Sequence, residues 1–267
     1  METDIVGGYN DHFGVLRSLA DLEAQSYKMK TELFRYFKNP LYWIVYGAGI
    51  SIRTVLAYFD SLHRKEEFWE LAKDFWSKIG SATMGFLIVL VLIQLFSFDR
   101  ETKSYPTINS TVYGRIHLFR NRLIAGGVAA VFGVALLAVG NFAVSMLLGR
   151  NLPYPQNWVG SFIQPPVVAM IGSIGFFLFA ACVCDFFKNQ PAAMCICGVP
   201  FAISYFVNTG AIKQFELFWF FRYGFFSELM RGRLIHSNPV FWVIWYALFL
   251  SCVLLIAINK RKERKEL

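Results

Sequence analysis

The sequence contains no G-x-x-x-x-G-K-[ST] run, so it supplies no phosphate cradle of its own for a nucleotide. H-E-x-x-H and G-x-S-x-G are missing too, which removes two common hydrolase signatures. Charge is scarce, at 16% of 267 residues, where soluble domains carry about 25%. Asp and Glu are absent from the centres of the long apolar runs, and a proton-driven transporter usually holds an ionisable group at that depth. Secondary transport and intramembrane catalysis therefore fall in rank. Of the five cysteines, Cys182, Cys184, Cys195 and Cys197 form two C-x-C pairs that invite a metal reading. Alternate positions on a helix face different ways, and free cysteine is ordinarily a small buried hydrophobe; no metal site is expected. His12, His63, His117 and His236 are scattered near polar residues, as interfacial or solvated side chains would be. The amino terminus carries Glu2, Asp4 and Asp11 with no basic stretch ahead of an apolar core, so no cleaved signal peptide is expected.

What is abundant is apolar surface. Hydrophobic residues make up 56% of the chain and aromatics 18%, and mean hydropathy is +0.44. Such a composition calls for an apolar solvent, and the apolar runs spread over the chain as one membrane domain. The net charge of +8 comes from basic residues that flank those runs. Anionic headgroups and insertion topology account for them, and nucleic acid is not an expected partner.

Residues 1–26 are mixed and polar. From Tyr27 a helical period sets in, with Met29, Leu33, Tyr36 and Phe37 on one face and Lys28, Lys30, Arg35 and Lys38 on the others. This basic amphipathic helix over 27–39 suits the membrane interface, and Asn39-Pro40 ends it. Apolar runs follow at about 41–59, 81–98, 123–148, 166–183, 191–207 and 240–258. Their lengths match a hydrocarbon layer about 30 Å thick, where only helices satisfy the backbone over such long runs. The expected fold is therefore an all-α polytopic membrane protein with six transmembrane helices. Arg53 interrupts the first run, which either ends early or turns Arg53 toward a watery cavity or the interface. Residues 60–79 read as a second amphipathic segment, with Phe68, Leu71 and Phe75 on one face. Residues 211–238 are apolar but broken by Lys213, Glu216, Arg222 and Glu228, as in an outer re-entrant or interfacial helical element. Lys and Arg favour the loops on the side of both termini, most firmly in the tail 260–267. That bias places both termini in the cytoplasm of a multi-pass protein of the cell membrane.

Three further features occur together. The helix TELFRYFKNP leads straight into the first span. Between spans two and three, FDRETKSYPTINSTVYGRIHLFRNRLIAG presents Glu101, Ser104, Gly114-Arg115 and Arg122 in that order. A very short loop separates spans four and five, and a long apolar outer segment precedes span six. In these respects the chain resembles the permease subunits of the ABC-2 (type V) exporter family. Ser104 stands where that family usually has glycine, Tyr113-Gly114 replaces its usual small pair, and 60–79 exceeds its short outer loop.

The resemblance implies a connecting helix at 27–39 and a main cytoplasmic coupling helix at Tyr105 to Tyr113, flanked by Glu101 and Arg115. It also implies a minor coupling element at Asp185 to Gln190, including Lys188. Spans two and five would line the substrate pathway; on span two Thr83, Leu87, Leu90 and Gln94 share a helical face. The chain would then be no enzyme and hold no cofactor. ATP and Mg would sit on two copies of a separate ABC ATPase, and a second permease, identical or a sister chain, would complete the assembly within the lipid bilayer. An aromatic, uncharged membrane interior suits hydrophobic or amphipathic cargo, peptide or lipid-like. The alternative from another class is a non-transporting auxiliary membrane protein, such as an immunity or assembly factor. Co-purification of an ATPase separates the two.

Overall fold

The computed structural model describes residues 30–93, 119–153, 157–187, 190–208, 227–232 and 251. Among the described residues all regular structure is helical, and there are no strands. Helix α1 covers 30–38. Helix α2 is Pro40–His63, followed by a 3-10 turn at Lys65–Glu67. Helix α3 runs over Phe68–Leu92 and contains two π turns, Trp76–Gly80 and Ile88–Leu92. Helix α4 is Phe119–Leu148; a π turn at Val159–Ile163 opens into α5, Gln164–Phe187. Helix α6 is Gln190–Asn208, and α7 is the short Ser227–Met230.

The break between α1 and α2 is built by two neighbouring residues. Asn39 Oδ1 accepts from the Leu41 amide at 3.0 Å, and Pro40 occupies the first helical turn, where its missing N–H leaves nothing unsatisfied. Long-range hydrogen bonds then fix the helix directions. The Tyr42 hydroxyl donates to the Ala129 carbonyl at 3.0 Å and the Tyr46 hydroxyl to Leu136 at 3.2 Å, so α2 and α4 run parallel. Ala72 of α3 bonds Asn141 of α4, while Met84 and Leu87 lie against Gly133; α3 is therefore antiparallel to α4. Phe142 packs on Trp158 and Phe162, and Gly126 lies against Phe177, which makes α5 antiparallel to α4 as well. On α6, Phe201 stacks on Phe176 at 5.0 Å and the Tyr205 hydroxyl donates to the Lys78 carbonyl at 2.6 Å. From α2 to α6 the chain thus runs alternately up and down.

Three helical stretches are long and apolar enough to cross a membrane: Phe68–Leu92, Asn121–Leu148 and Val159–Cys184; the apolar stretch Pro191–Phe206 is shorter. Helix α4 shows why. Ala125, Ala129, Ala130, Val134 and Leu137 are buried in the core, yet Ile124, Val128, Val139 and Leu147 on its outer side are also apolar. A helix apolar all round needs an apolar surround.

Several expectations change against this fold. The first apolar helix neither ends at Arg53 nor turns it to a cavity or the interface: α2 continues to His63, and Arg53 is only 2% exposed. The amphipathic segment 60–79 is not a separate unit. From Phe68 it is the first half of α3, and Phe68, Trp69, Ala72, Phe75 and Trp76 are buried while Glu70 and Lys78 stay exposed. The apolar face of α1 is spent on protein. Tyr36 is 1% exposed, and Phe37 meets the rings of Tyr42 and Phe132. Residues 227–232 lie inside the bundle, with Leu229 and Met230 buried against Gly172 of α5. The span expected at 240–258 lies outside the described residues apart from Ser251, as does most of 211–238.

Close packing rests on small residues, as helix contacts in membranes commonly do. A Cβ at Gly126 would fall inside the buried Phe177 ring, whereas one at Gly127 would meet open space. Gly126→Ala is expected to cost about 1–3 kcal/mol through overpacking, read as a lower thermal unfolding midpoint in detergent. Gly127→Ala is expected to leave that midpoint in place. Equal midpoints for the two variants would refute this packing.

Candidate functional site

The bundle holds polar junctions that the apolar pattern hides. The first is centred on Arg53. Its guanidinium Nε donates to Asn141 Oδ1 at 2.7 Å and one terminal nitrogen to Ser145 Oγ at 3.1 Å. Asn141 passes the contact on, its Nδ2 donating to the Ala72 carbonyl at 3.2 Å. One buried cation thereby ties α2, α4 and α3 together, ~15 Å along α2 from His63 at 1.5 Å per residue. Among the described residues no carboxylate lies within ion-pair distance of Arg53, so neutral acceptors carry the interaction. A readable signal did exist. Asn141 and Ser145 are the only polar side chains between Leu123 and Leu148, and they sit four residues apart on one helical face.

The second junction lies at the opposite end of the bundle. Glu32 is turned inward and pairs with Arg122 at 3.5 Å and Arg35 at 3.2 Å. Beside it Tyr36 is buried; desolvation pushes its phenol above the usual tyrosine value, against the lowering pull of Arg122. This fastens α1 to the first turn of α4. Glu32 is the only acid from Tyr27 to Lys38, and an acid placed alone in a basic helix is the signal that sequence reasoning passed over.

The third is Arg231, 5% exposed, directly after α7 and within electrostatic reach of the Tyr205 phenol on α6. The local backbone requires its neighbour Gly232, which has φ +70 and packs against Pro165.

The residues singled out from the sequence fall as follows. Glu101, Tyr105, Tyr113, Arg115, Lys188 and Gln94 lie outside the described residues. Asp185 is in the last turn of α5. Thr83 and Leu87 are buried, but Leu90 is 38% exposed. The π turn at Ile88–Leu92 supplies the reason: its wider turn shifts the helical phase, so residues beyond Leu87 leave the face an ideal α-helix would give them. Cys182, Cys184 and Cys197 are buried and Cys195 is exposed; among the described residues no three His, Cys, Asp or Glu side chains are grouped to hold a metal.

Among the described residues, these junctions join α2 to α3 and α4, and α1 to α4. No protein-family model matches the chain, and no curated protein matches it.

Proposed function

We propose that this chain is the membrane-spanning permease subunit of an ATP-driven exporter of the ABC-2 kind, with six spans and both termini in the cytoplasm. A separate ATPase, present in two copies, binds ATP and Mg. A second permease completes the pathway, and the cargo is hydrophobic or amphipathic, peptide or lipid-like.

The observation that carries this reading is the clamp between α1 and α4. An ATPase moves membrane helices only through cytoplasmic segments that dock on it. Tyr105 to Tyr113 leads within a few residues into α4, and the first turn of α4 is tied by Arg122 to Glu32 on α1. Displacement of that segment therefore enters α4 and α1 together. Because α1 continues into α2 through Pro40, and Arg53 ties α2 to α4 and α3, one push reaches four helices. Helix α5 ends at Phe187 and α6 begins at Gln190, a short spacing in sequence that supports a second docking point.

The test is purification from the native membrane in mild detergent. A separate ATP-binding chain is expected to co-elute, and the permease stripped of it is expected neither to bind nor to hydrolyse ATP. A chain that purifies alone under every mild condition favours the auxiliary reading; one that hydrolyses ATP by itself overturns the proposal.

A further inference from the structure

The outward face of α1 has a composition its inward face does not explain. Lys30, Thr31, Phe34, Arg35 and Lys38 are exposed, at positions that form one side of a helix. Three of the five are cationic. The one acid of the helix, Glu32, points the other way and is held by Arg122 and Arg35. The outward face is therefore positively charged, with a phenylalanine, 58% exposed, at its centre.

Its position beside α4 fixes what this face meets. Glu32 contacts Arg122 and Phe37 contacts Phe132. Helix α1 thus runs alongside the first turns of α4, and directly after the Asn39 turn Trp43 and Ile44 on α2 are exposed too. The Trp43 indole N–H donates to the Phe37 carbonyl at 2.7 Å across the Asn39 turn, which holds Trp43 beside the end of α1. Tryptophan with one polar tip and an apolar body is the residue type enriched at the headgroup boundary. Lys38, nearest that turn, folds its ammonium back over the Phe34 ring at 4.8 Å, away from the apolar side and toward the start of α1. A lysine near hydrocarbon reaches back to the headgroups in this way.

We propose that Lys30, Arg35 and Lys38, arranged around Phe34 on the outward face of α1, form a recognition surface for anionic phospholipid headgroups, whose acyl chains descend along Trp43 and Ile44. A bilayer is anionic above and apolar below, the same order as this surface, whereas an acidic protein groove would leave Trp43 and Ile44 unmatched. The inference rests on the chain lying in a membrane and is independent of the permease assignment, since it concerns this chain alone.

The test uses the full chain in bilayers of phosphatidylcholine, without any partner. Spin-labelled phosphatidylglycerol and spin-labelled phosphatidylcholine are compared for the fraction of lipid held against the protein. The wild-type chain is expected to favour the anionic lipid by about fivefold or more at low salt, falling as salt rises. Lys30→Gln/Arg35→Gln/Lys38→Gln is expected to abolish most of that preference. Should the triple variant fail to fold, Lys38→Gln, whose exposed ammonium lies over the Phe34 ring, is expected to show a partial loss. No preference in the wild type, or an undiminished preference in both variants, overturns the proposal. A parallel purification of both forms from the native membrane reads the other occupant: a protein lost from the triple variant while the lipid preference stays unchanged also overturns the proposal and assigns the face to that protein.

Discussion

Asn141→Leu is expected to destabilise the bundle by about 3 kcal/mol, the scale of stranding a buried charge. The side chain is 2% exposed, and it is both the acceptor for Arg53 Nε and the donor to the Ala72 carbonyl. Leucine removes both contacts and leaves the guanidinium with Ser145 Oγ as its remaining hydrogen-bond acceptor. An unmatched charge in an apolar interior is costly because neither water nor a counter-ion replaces what was lost. A second substitution separates the stranded charge from simple loss of packing. Arg53→Leu/Asn141→Leu together should be more stable than Asn141→Leu alone, since two apolar side chains then fill the junction with no charge to satisfy. Denaturant unfolding in micelles measures both. A double variant less stable than Asn141→Leu would mean that Arg53 contributes through its apolar stem and not through its charge.

That junction also shows where sequence reasoning reached its limit. Helices α4 and α5 were legible because continuous apolar runs of membrane length have few other solutions, and the α1–α2 break was legible because Asn-Pro acts locally. Arg53 was visible as an interruption, but its acceptors lie on a different helix, and no local pattern pairs them. The start of α3 was hidden because Glu70 and Asp74 lower the average hydropathy of a stretch whose other side buries Phe68, Ala72 and Trp76. Averaging along the chain erases a difference between faces. Helix α1 posed the converse problem: its periodicity revealed an apolar face correctly but could not say whether lipid or protein would cover it. Tyr36 and Phe37 went to protein. The π turns of α3 left no trace in hydropathy at all, and they separate Leu90 from Thr83 and Leu87.

If a separate ATPase drives this chain, it does so through the segment ahead of α4. Tyr105 and Tyr113 are the anchors to change, because tyrosine joins a large contact area to a hydrogen-bonding tip. Interfaces concentrate their energy in a few such residues. Glu101 and Arg115, at either side, would set register by charge pairing, which governs specificity more than affinity. Neither tyrosine belongs to an apolar run, so Tyr105→Ala/Tyr113→Ala should insert and fold as the wild type does. The decisive measurement is substrate-stimulated ATP hydrolysis, with transport, in vesicles that hold the ATPase and either form of this chain. The two activities are expected to fall together by a factor of about ten or more, given about 1–2 kcal/mol for each anchor. Hydrolysis, transport and complex formation all unchanged by the double substitution would contradict the account.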